Sequence, residues 1–101
     1  MGIDVELQDE NGNSLQTIGD PQSVLAHALP DAEDETFVCL RFIDPFGDTT
    51  FNRQQCALAA VELRRVADGA SGEARAHLGD VERLARQAAT DVHLYLKFIG
   101  D

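Results

Sequence analysis

The chain has 101 residues, 44% of them apolar, with 18 acidic against 8 basic side chains and a formal net charge of −10. That length fits one ordinary domain, residues 1–101, and folding should withdraw roughly two-thirds of the unfolded chain's surface from water, which argues against disorder and against a two-domain enzyme. The negative balance repels phosphate backbones, so direct nucleic-acid binding is not expected.

Residues 1–6 contain neither a basic leader nor an apolar signal core, and no stretch approaches the roughly 18 apolar residues of a membrane span. Gly2 raises the question of myristoylation, but Glu6 stands where that motif requires Ser or Thr. The expectation is a cytoplasmic protein without membrane contact. Cys39 and Cys56 are too few for a disulfide framework and lack Cys-x-x-Cys spacing, which predicts two reduced, buried thiols.

In chain order, Ile3, Val5 and Leu7 alternate with Asp4, Glu6 and Gln8, the period of a strand with one buried face. Asn11-Gly12 then marks a hairpin turn, and residues 14–19 supply the returning strand. Asp20-Pro21 reads as a helix start, with Asp20 as N-cap, for a short helix over residues 21–29. The acidic loop of Asp31, Glu33, Asp34 and Glu35 leads to residues 36–43, apolar and β-rich enough to predict a central strand. Asp44-Pro45-Phe46-Gly47-Asp48 has turn chemistry, and Thr49-Thr50-Phe51 can return as a short strand. Asn52 and Gln55 form a capping pair opening a helix over residues 52–68. Gly69 to Gly72 separates it from a second helix over residues 73–90, in which Leu78, Val81, Leu84, Ala85 and Ala88 recur at helical spacing. Val92, Leu94, Leu96 and Phe98 alternate with His93, Tyr95 and Lys97 as a final half-buried strand. The order ββαββααβ predicts an α+β fold: two layers, a mainly antiparallel sheet of about five strands, and helices on one face.

Charge is unevenly spread. Residues 1–48 carry eleven acids against Arg41 alone, whereas residues 49–101 carry seven of each sign. Such a half-domain field steers a cationic partner, although acidic composition also serves plain solubility. If Val38, Leu40, Phe42, Leu94, Leu96 and Phe98 face the helices, the open sheet face carries Phe37, Cys39, Arg41, Ile43, His93, Tyr95 and Lys97 with Asp4, Glu6 and Gln8. That mixture of aromatics, apolar groups and both charges suits recognition, and cross-strand ion pairing accounts for it as well.

Catalytic and metal motifs are scarce. His27, His77 and His93 fall on separate elements without zinc spacing, and Asp9-x-Asn11-x-Asn13 lacks the remaining features of a calcium loop, so no metal or cofactor is expected. No phosphate-binding glycine loop or nucleophile elbow occurs. Cys39 and His93 share strand parity and are the one candidate thiolate pair. Asp44 and Asp48 flank a turn, which explains them without chemistry.

The segments Leu40-Arg41-Phe42-Ile43-Asp44-Pro45-Phe46-Gly47-Asp48 and Val92-His93-Leu94-Tyr95-Leu96-Lys97-Phe98-Ile99-Gly100-Asp101 resemble parts of small bacterial proteins. As a single acidic α+β domain without catalytic motifs, the chain is similar in type to immunity proteins that neutralise a toxin, and no site residue carries over from that likeness. The leading expectation is a non-enzymatic binding protein for a basic partner such as a toxin or nuclease. Asp31, Glu33, Asp34 and Glu35 would steer, and Arg41, Phe46, Asp48, His93 and Tyr95 would make contact. Two alternatives stand beside it. One is a small enzyme or ligand-binding domain using Cys39, His93, Tyr95 and Arg41 on the open face, and the other is a homo-oligomeric scaffold that buries Tyr95 and Phe37. Monomer and homodimer both remain open.

Overall fold

Alternation at the start of the chain produces a strand. A computed structural model describes residues 2–101, and in it β1 (Asp4–Asp9) buries Val5 and Leu7 completely, as does Ile3 just before it. The Asp9 carboxylate accepts the Asn11 and Asn13 backbone N–H groups, both at 2.9 Å, and Gly12 takes a φ of 82°, a left-handed value that glycine adopts without steric cost. The chain thereby reverses into β2 (Ser14–Ile18), antiparallel to β1.

Asp20 works differently from a simple N-cap. Residues 21–22 form a turn, and α1 spans only Val24–Ala28. The buried Asp20 carboxylate accepts N–H bonds from Val24 at 2.7 Å, Ala26 at 3.3 Å and Ile3 at 3.0 Å. It anchors the helix start and the N-terminal segment together, which offsets the desolvation of its charge.

Residues 36–43 are not a strand, so the sheet has four strands and the order is ββαβααβ. The segment is a series of turns with one turn of 3-10 helix at Leu40–Phe42. Phe37, Cys39, Leu40 and Ile43 are buried and Val38 and Phe42 exposed, which is not an alternating pattern. The cause is Glu62, whose carboxylate accepts the N–H groups of Val38, Cys39 and Leu40. Successive N–H groups of a strand point to opposite edges, so three in a row on one carboxylate require a curled backbone.

The sheet is antiparallel throughout, in the order β2-β1-β4-β3, with β3 at Asp48–Phe51 and β4 at Leu94–Ile99. Val5 lies opposite Phe98 and Leu7 opposite Leu96. Between β3 and β4 run α2 (Arg53–Asp68) and α3 (Gly72–Ala88). The capping box at the start of α2 is complete: Gln55 N–H donates to Asn52 Oδ1 and Asn52 N–H to Gln55 Oε1, both at 3.0 Å. The core stripe of α2 is Cys56, Ala59, Ala60, Leu63 and Ala67, and that of α3 is Leu78, Val81, Leu84, Ala85 and Ala88. Phe51 and Phe98 meet edge to face with centroids 5.4 Å apart. The opposite sheet face, with Asp4, Glu6, Gln8, Tyr95, Lys97, Asp48 and Thr50, stays open. No helix among the described residues is long and apolar enough to cross a membrane.

Candidate partner-binding surface

The acidic loop is held to the helical layer. Glu62 fixes its C-terminal side through the three N–H bonds just described. Arg65, one helical turn further along α2, lies over the Phe37 ring at 4.2 Å and donates to Thr36 Oγ1 at 3.1 Å. Arg41 donates to the Ala32 carbonyl at 3.3 Å and sits 4.4 Å over the Phe42 ring, so the two ends of the loop are tied to each other and the C-terminal one to α2. Within it, Asp31 accepts the Glu33 N–H at 2.9 Å, and Asp34 accepts the Thr36 hydroxyl and N–H. Those two bonds from Thr36, the hydroxyl first, hold the Asp34 carboxyl below its ordinary range.

Asp31, Glu33 and Glu35 are exposed. Four large apolar side chains are also exposed on the following segment and on α2. Val38 and Phe42 are 52% and 59% exposed, and Leu58 and Val61 of α2 are 52% and 61% exposed. At 100° per residue Leu58, Val61 and Arg65 share the face of α2 opposite its core stripe. Glu62 and Arg65 thus hold the loop, with its exposed carboxylates, against the helix whose outer face carries Leu58 and Val61.

The other expected contact residues are scattered. Arg41 ties the loop and does not lie on the sheet face, because residues 36–43 never join the sheet. Phe46 is 76% exposed on a separate turn, where the Pro45 carbonyl accepts the Asp101 N–H at 3.0 Å and the Gly47 carbonyl the Gly100 N–H at 2.8 Å. His93 lies at the opposite end of β4, its Nδ1 2.7 Å from Glu10 Oε2 at the hairpin tip. That hydrogen bond and the Glu10 charge raise the imidazole above its usual pKa. Tyr95 stands across from Gln8 on the open sheet face, beside a shallow cleft lined by Asn52, Arg53, Gln54 and Val92. On the same face Asp48 pairs with Lys97 at 3.4 Å.

Cys39 and His93 do not form a thiolate pair. The Cys39 thiol is 4% exposed and donates to the Gln55 carbonyl at 3.6 Å. Burial, with the Glu62 charge behind it, pushes that thiol up, and burial takes Cys56 up to about 12. Burial of both thiols works against a nucleophilic role. Phe37 is likewise buried beneath Arg65, so it cannot mark a dimer face. Asp44 serves the turn, its carboxylate accepting the Phe46 N–H at 2.9 Å.

Sequence reasoning missed Val38, Phe42, Leu58 and Val61 as surface residues. The signal for the helical pair was present, because both fall on the far side of α2 from Cys56, Ala59, Ala60 and Leu63. No family model, curated protein or solved structure matches the chain.

Proposed function

We propose that the protein is a non-catalytic binding module for a basic protein, of the inhibitor or immunity type, covering a cationic site such as that of a toxin or nuclease. The observation that carries this reading is the acidic loop anchored on α2, with Val38 and Phe42 exposed beyond the loop and Leu58 and Val61 exposed on the helix that holds it. Charge on the loop accelerates encounter, and desolvated apolar anchors slow dissociation. Because Glu62 and Arg65 already order the loop, little conformational entropy remains to be lost on binding. A nuclease holds phosphate with cations, and carboxylates compete for the same groups.

The test begins with capture from a host lysate at low salt and at about 0.5 M salt, where screening shortens to roughly 4 Å. The captured protein is then measured kinetically against two variants. Neutralising Asp31, Glu33, Asp34 and Glu35 to Asn and Gln should slow association about tenfold or more and flatten its salt dependence. Phe42→Ala should leave association alone and speed dissociation. An acidic captured partner, or kinetics unchanged in both variants, would refute the reading.

A further inference from the structure

Four of the eight cationic side chains of this chain converge on one cleft. It has a volume of ≈ 350 Å³ and lies between α2 and α3, with no residue of the acidic loop in its lining, which includes Arg64 of α2 and Arg75, Arg83 and Arg86 of α3. Two carboxylates share the lining, Asp68 and Glu82. Asp80, one turn before Arg83 on α3, pairs with that arginine, so four cations meet three acids there, in a chain whose net charge is −10.

The carboxylates orient the arginines without using them up. Arg64 bonds Asp68 at 3.1 Å and Arg86 bonds Glu82 at 2.8 Å, each through Nε from one helical turn away. Among the described residues the terminal amino groups of both arginines have no partner. Arg75 adds a contact to Asp68 at 3.6 Å across the two helices. A guanidinium fixed by its Nε presents its two remaining amino groups as a planar fork, the geometry that matches phosphate oxygens.

Gly79 supplies a second, separate observation. It lies in the interior of α3, one turn from Arg75 on one side and from Arg83 on the other, where glycine weakens a helix relative to alanine. Its φ is not positive, and a Cβ built on it would meet nothing within 4 Å. Neither packing nor backbone geometry demands glycine there. Gly79 is part of the cleft lining, so a side chain there would take space from the cleft.

We propose that this cleft binds a small, multiply charged phosphate compound, held by the free guanidinium forks of Arg64 and Arg86 with Arg75 and Arg83 closing around it. The volume lies at the lower end of ligand pockets, and the chain's overall negative field disfavours a polymer of phosphates. The site is independent of the acidic surface.

The test is calorimetric and amide NMR titration of the full chain with inorganic pyrophosphate at constant ionic strength. Saturable one-to-one binding, with shifts confined to the facing turns of α2 and α3, is expected. Arg75→Ala with Arg83→Ala should weaken it tenfold or more while helical circular dichroism is retained. Gly79→Ala keeps all four arginines and should raise the thermal midpoint yet weaken binding severalfold, an opposition that a merely solvated ion-pair face does not produce. Adenosine diphosphate separates the sources: affinity equal to that of pyrophosphate marks a free polyphosphate, and tighter binding marks a nucleotide. No saturable signal with either compound, equal affinity for citrate, or unchanged affinity in both variants would overturn the proposal.

Discussion

The Glu62 carboxylate on α2 accepts the backbone N–H of Leu40 at 2.9 Å, and the same group also holds Cys39 and Val38. One side chain thus pairs three consecutive backbone N–H groups. Glu62→Gln replaces one acceptor oxygen with a donor and leaves at least the part-buried Val38 N–H unpaired, a loss of about 1–3 kcal/mol. Urea unfolding should show a lower midpoint, and Cys39 should become reactive to a thiol reagent before Cys56 does. Equal protection of Cys39 in the variant and the parent would refute the anchoring role.

His93 and Glu10 form an exposed pair that joins the hairpin tip to the start of β4. Because the folded-state pKa of His93 lies above its unfolded value, the contribution is full below about pH 6.5 and is lost as pH rises through the folded pKa. NMR titration of the His93 ring should give a midpoint above 6.5 that falls in Glu10→Gln. A midpoint indifferent to that substitution would remove the pair.

Gly100 closes the other end of β4 against the 44–47 turn. A Cβ there would stand 2.4 Å from the Pro45 carbonyl oxygen, so the backbone would have to move. Gly100→Ala should cost about 1–3 kcal/mol, in the range of overpacking elsewhere. Thermal unfolding measures this, and a midpoint equal to the parent's would show that the turn yields freely.

Much of this architecture is legible locally. The alternation around Val5 and Leu96, the Asn52 and Gln55 capping pair and the helical spacing of Leu78 to Ala88 depend on near neighbours, and each produced its element. Residues 36–43 failed because their partner is remote. The apolar run, with β-branched Thr36, Val38 and Ile43, has the composition of a buried strand, yet Glu62, 22 to 24 residues away, decides the backbone. The candidate surface divides in the same way. The loop carboxylates are visible as a charge run, whereas the placement of Arg41, Val38 and Phe42 followed the mistaken strand. Leu58 and Val61 needed a face-by-face reading of α2.

The strand order β2-β1-β4-β3 has a kinetic consequence. The β1–β2 hairpin closes over a few residues, but Asp4 meets Ile99 and Asp9 meets Leu94, so the central ladder joins segments some 85 to 95 residues apart in the chain. Loop closure over that distance precedes any reward from the contact, which sets a slow and cooperative step late in assembly. Until it is taken, one edge of β1 bares its amide and carbonyl groups beside apolar side chains. A polypeptide interrupted before Leu94 therefore exposes a template for pairing with other chains, and β4 serves as the intramolecular guard against self-association as well as the keystone of the sheet.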